Sequence, residues 1–188
     1  MSDIAQLHRQ ALEATSKTVA GVKPDQWAAA SPDEDWDARA VLNHVVSGNW
    51  WAMELVGGRT IQEVGDRLDG DVLGADPLSA YVDSAEAAAK AFEAEGALEA
   101  PCAVSYGPVP GSVYAGHRFV DVLIHGWDLA VATGQDPTLA PDLIDACAAV
   151  IEPQLAELQG SGLFGDALEV PADAGAQTRL LALLGRRG

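Results

Sequence analysis

Arg118-Phe119-Val120-Asp121-Val122-Leu123-Ile124-His125-Gly126-Trp127-Asp128-Leu129-Ala130 reads as one helix, mostly apolar, with a single narrow polar stripe. At about 100° per residue, His117, Asp128, Asp121, His125 and Arg118 fall within roughly a quarter of its circumference. Phe119, Val122, Leu123, Trp127, Leu129 and Val131 take most of the rest. A helix this apolar is largely buried, so its stripe must meet solvent or find partners inside. Asp121 and His125 lie one turn apart and can hold a divalent metal from one face. A solvated stripe carrying an Asp/His pair accounts for the same residues, and this helix alone does not decide.

Outward from that helix, apolar spacings of three and four residues, bounded by proline and glycine, predict helices near 3–19, 38–56, 77–95, 113–133 and 141–159. Asp37 is placed to cap the second, and Asp76-Pro77 to start the third. Pro153 should kink or split the fifth, and a last short helix is expected over 176–184. The glycine-rich stretch 59–75 reads as a loop, and 98–112, with Pro101, Pro108 and Pro110, as an irregular crossing segment. Within it Ala103–Tyr106 is expected to be extended, as is Leu168-Glu169-Val170 in the tail, with Leu163-Phe164-Gly165 forming a turn. Five long helices with almost no alternating pattern predict an all-α bundle. The long connections become crossover loops at the bundle ends, where loops of that length often cover a site. The expected organisation is one domain over 1–188, with 160–188 a short tail packed on the bundle.

The 188 residues suffice for a sizeable core, and 48% hydrophobic against 21% charged residues fits a folded chain. A formal charge of −17 opposes binding to nucleic-acid phosphates or anionic membranes, and no basic cluster offsets it. The first residues lack the basic and apolar regions of a signal peptide, and no run is apolar enough to span a bilayer. Cys102 and Cys147 are far apart, match no thiolate metal site, and are expected to be reduced. A cytoplasmic location follows as the default.

On the second predicted helix, His44 lies on the flank between the core arc and the wetter side marked by Asn43, Ser47 and Glu54. A lone histidine there is most often structural. Three features together bear on it: Trp36 eight residues before His44, the Asp121…His125-Gly126-Trp127-Asp128-Leu129-Ala130 block, and the closing Leu180-Leu181-Ala182-Leu183-Leu184-Gly185-Arg186. In these the chain resembles the DinB-like superfamily, in the branch of the mycothiol-dependent maleylpyruvate isomerase N-terminal domain. That resemblance implies a four-helix bundle with a divalent metal between helices. It implies His44, Asp121 and His125 as the ligands. Two features depart from the isomerase branch: aspartate stands at 121 where the branch has glutamate, and the isomerase carries a C-terminal domain.

Three nitrogen and oxygen ligands leave coordination positions for water, a thiolate or a substrate oxygen. The expected ion is zinc, with nickel, cobalt or manganese compatible. The resemblance further implies a low-molecular-weight thiol, mycothiol in the isomerase branch, attacking a small electrophilic substrate. A thiol-dependent transferase or isomerase is therefore the leading expectation. A hydrolase using metal-bound hydroxide and a non-catalytic, homodimer-forming metal- or ligand-binding bundle are the alternatives. Arg118 either recognises an anionic substrate or pairs with Asp121, and His117 is the rival third ligand. For Asp128 a structural hydrogen bond is expected over a general-base role, and Trp36, Trp50, Trp51 and Trp127 are expected in core or pocket walls.

Overall fold

The structure is a computed structural model, and it describes residues 3–33, 36–155 and 165–188. It is helical apart from one hairpin, as the periodicity requires. The helices are α1 (Ile4–Gly21), α2 (Ala38–Val56), the single turn α3 (Ile61–Val64), α4 (Pro77–Glu93), α5 (Gly111–Ala132), α6 (Pro141–Ile151) and α7 (Ala176–Leu183). Their starts carry the caps that the sequence suggests. Asp37 accepts from the Ala40 N–H at 2.8 Å, and Asp76 from that of Ser79 at 3.1 Å with Pro77 behind it. Past α5, Gly134 takes φ 64°, the left-handed conformation that ends a helix at little cost in glycine.

Four helices make the bundle. α1 packs against α5 and α4, and α2 against α4 and α5, so α1 and α2 stand on one diagonal and α4 and α5 on the other. Consecutive helices α1 and α2 are therefore not neighbours, which is why the segment between them must cross the bundle end. The central core takes Leu12 and Val19 from α1, Val41, Leu42 and Val45 from α2, Tyr81 and Ala85 from α4, and Phe119, Leu123 and Ile124 from α5. Tyr81 lies fully inside and donates to the Leu12 carbonyl at 2.8 Å, which removes the cost of burying its hydroxyl. α6 and α7 pack on each other at the side of α5. Among the described residues no helix is long and apolar enough to cross a membrane.

Three details correct the expectations. The crossing segment contains an antiparallel hairpin, β1 (Pro101–Val104) with β2 (Gly107–Pro110), and Ser105-Tyr106 form its turn rather than the end of a strand. Proline lacks a ladder N–H, but a two-stranded ribbon has only edge strands, where that loss is tolerated. The loop 59–75 contains α3, nucleated by Thr60 and Glu63, whose side chains cap each other's backbone N–H. Leu168-Glu169-Val170 belongs to no strand, although the Leu168 N–H bonds to the Ala182 carbonyl. At Pro153 the α6 helix passes into a 3₁₀ turn, Glu152–Gln154. The expected continuation of that helix to 159 and the turn at Leu163-Phe164 lie outside the described residues.

Candidate metal centre

The expected residues meet between α2 and α5. His44 presents Nε2 to Asp121 Oδ1 at 2.9 Å, and His125 Nε2 lies 3.7 Å from the same oxygen. The two imidazoles are edge to face with centroids 4.8 Å apart. One ligand atom from each of the three residues falls within 4.8 Å of the other two. Bonds of about 2.0–2.2 Å in a tetrahedron set donors about 3.3–3.6 Å apart, so small side-chain rotations bring the three to an ion. The group opens on one side: the His44 side chain is 37% exposed, that of Asp121 19%, and that of His125 6%.

Each donor faces inward because its other end is held. Asp121 Oδ2 accepts from Arg118 Nη1 at 2.8 Å, leaving Oδ1 for the histidines. Arg118 is itself buried, its other Nη reaching the Val45 carbonyl and Asn49 Oδ1 at 3.4 and 3.3 Å. Of its two expected roles, the pairing with Asp121 is present. Gly48 on α2 makes the room, since a Cβ there would collide with the guanidinium. Behind His125, Asp128 Oδ2 accepts from Nδ1 at 3.0 Å. A carboxylate only accepts, so Nδ1 carries a proton, and in the neutral ring Nε2 keeps its lone pair for the centre. Trp36 walls the far side, with ring centroids 4.9 Å from His44 and 5.6 Å from His125.

These contacts set the charges. Burial opposes ionisation of Asp121, yet Arg118, then His44 and His125, outweigh it and hold the carboxyl well below the usual range. Burial likewise opposes charging His125, but the Asp128 hydrogen bond and the charges of Asp121 and Asp128 raise its pKa overall. An ionised carboxylate facing two imidazoles offers the oxygen and nitrogen donors that suit a divalent cation.

His117, the rival ligand, is engaged elsewhere. Its Nε2 meets Gln154 Oε1 at 2.7 Å, and its Nδ1 meets the Tyr106 hydroxyl. Because Gln154 Nε2 already donates to the Val150 carbonyl at 3.0 Å, the imidazole donates to the amide oxygen and accepts from tyrosine. Two contributors escaped the sequence reading. Arg186, from the tail, pairs with Asp128 and with Asp33, and Asp33 comes from the turn before α2. Arg186 does stand in the closing Leu180–Arg186 block, but nothing local ties a tail arginine to a helix 58 residues earlier.

The chain is similar in sequence and fold to known proteins. Residues 8–130 match the family model of the mycothiol maleylpyruvate isomerase N-terminal domain. An uncharacterized protein present in two strains of Mycobacterium tuberculosis is 34% identical over 184 residues, covering 95% of either chain. Among solved structures, the mycothiol-dependent maleylpyruvate isomerase and a histidine-to-alanine mutant of it superpose with a TM-score of 0.59 at 18% identity. That match covers 85% of this chain and 72% of the isomerase, and it shows the DinB-like bundle fold.

Proposed function

The chain belongs to the mycothiol maleylpyruvate isomerase N-terminal domain family, and from that premise we propose that it is a divalent-metal-dependent enzyme that works with a low-molecular-weight thiol, mycothiol or a relative of it, on a small electrophilic substrate. The observation that carries this reading is the convergence of His44 Nε2, Asp121 Oδ1 and His125 Nε2 on one point between two helices. The donor set fits zinc best, and nickel, cobalt or manganese also accept two imidazoles and a carboxylate. Bound there, such an ion supplies a Lewis acid that stabilises a thiolate at neutral pH or polarises a carbonyl.

The protein's own residues do the rest. Asp121 supplies one anionic donor, and Arg118 fixes which oxygen it offers. Aspartate in place of the isomerase branch's glutamate shortens the reach by one methylene, and Asp121 still comes within 2.9 Å of His44. The exposed edge of His44 leaves a path for thiol and substrate, and Trp36 packs against both imidazoles.

Elemental analysis after dialysis against zinc, paired with a screen of electrophiles with and without added thiol, tests this. One zinc per chain is expected, lost in His44→Ala and His125→Ala with helix content nearly unchanged. Failure of the unaltered chain to bind any divalent ion sinks the ligand assignment. Turnover that ignores thiol points to hydrolysis instead, and zinc binding without turnover of any electrophile points to a non-catalytic bundle.

A further inference from the structure

We propose that Arg186, at the end of the chain, is a positioning residue for the metal centre: through Asp128 it fixes the tautomer and orientation of His125. The proposal rests on the metal reading only for its effect on affinity.

Asp128 is fully buried and meets the centre through the 3.0 Å hydrogen bond from His125 Nδ1. A carboxylate sealed from water needs a counter-charge to remain an acceptor. Arg186 supplies it side-on, with Nε 3.3 Å from Oδ1 and Nη2 3.0 Å from Oδ2. This two-point fork sets the plane of the carboxylate, which a single contact would leave free to turn. Two further donors are engaged as well. Nη2 also reaches Asp33 Oδ2 at 2.6 Å, and Nη1 donates to the Leu184 carbonyl at 3.0 Å.

The backbone delivers the guanidinium to this place. After α7, Gly185 turns with φ 75°; its N–H bonds to the Ala182 carbonyl, and the Arg186 N–H to that of Leu181 at 2.9 Å. That is the paired closure of a Schellman cap, and it fixes where residue 186 leaves the helix. Asp33, His125 and Asp128 also come within ligand distance of one another. The guanidinium pairs with both of those carboxylates, so this second cluster already holds a cation from the chain itself.

Two readouts test the proposal on the full chain: the ¹⁵N signals of the His125 ring in metal-free protein at alkaline pH, and the zinc dissociation constant from competition with a chromophoric chelator. In the unaltered chain His125 should carry its proton on Nδ1. Asp128→Asn and Arg186→Met should each mix the two tautomers and weaken zinc binding by about 10- to 100-fold. A folded Arg186→Met with unchanged ring signals and zinc affinity overturns the proposal while leaving the metal reading intact. Tautomer mixing in a chain that takes up no zinc does the reverse. Should Arg186→Met fail to fold, Arg186→Lys gives the same readouts. Its ammonium keeps the charge but not the fork, so a partial shift in both supports the proposal and no shift in either overturns it.

Discussion

His8 shows at the scale of one residue how burial becomes pH dependence. It lies fully inside α1's packed face, edge-on to Phe92, and among the described residues neither ring nitrogen has a hydrogen-bond partner. Burial first, then the charges of Arg118 and Arg9, lower its pKa from 6.5 to about 3. Between those values the unfolded chain binds a proton that the folded chain refuses, so stability rises with pH across the window and falls on acidification. The slope for one such group is about 1.4 kcal/mol per pH unit. Relative to His8→Met, the unaltered chain should therefore lose about 2–3 kcal/mol between about pH 6.5 and 4.5. Urea melts across that range measure it, and parallel curves for the two proteins would refute it. His125 acts in the opposite sense, because its raised folded pKa gives stability at low pH that is lost as pH rises through it. Asp121, held low, loses its contribution only below the ordinary carboxylate range.

At the scale of elements, two glycines set how closely the helices approach. A Cβ at Gly48 would stand closer than 3.0 Å to the Arg118 guanidinium, and one at Gly126 would be as close to Thr15 Oγ1. Thr15 cannot simply rotate away, since its hydroxyl donates to the Val122 carbonyl at 3.2 Å in the buried α1–α5 contact. Alanine improves helix propensity by about 1 kcal/mol, but overpacking a tight contact costs about 1–3 kcal/mol. Gly126→Ala should thus be destabilising, by up to about 2 kcal/mol. Gly48→Ala should change stability less and zinc affinity more, because Arg118 can move only by leaving Asp121. Denaturant midpoints and chelator competition read the two effects. A stability gain of about 1 kcal/mol in both variants would show that the contacts are looser than described.

The whole molecule seals its two thiols. Cys102 and Cys147 are both free and fully buried, Cys102 in the first strand of the hairpin and Cys147 in α6 against the bundle. Burial raises both, Cys147 to about 12, so the reactive thiolate is scarce as well as shielded. Alkylation in the native state then requires opening of the structure around each. Two thiols should titrate in denaturant, with native reaction at least about a thousand-fold slower. A count of zero in denaturant would mean a disulfide, and fast native labelling would mean an exposed cysteine.

What the sequence by itself determined is what repeats along one chain segment. The three- and four-residue apolar spacing marks the helices, with α2 expected over 38–56 and found at Ala38–Val56. The one-turn spacing of Asp121 and His125 puts both on one face, whatever the rest of the chain does. The hairpin escaped because its prolines look like breakers until one knows that the ribbon has only two strands, both edges, where a missing ladder N–H is tolerated. His44 could be read locally only as a flank residue; family resemblance, not periodicity, singled it out. Tertiary structure alone decided that it faces Asp121 and that Arg186 returns to Asp128. The physical reason is one of range. Helix periodicity is written every three or four residues, whereas these contacts join segments 77 and 58 residues apart. Packing of the whole core sets those meetings, and no residue near either partner encodes them.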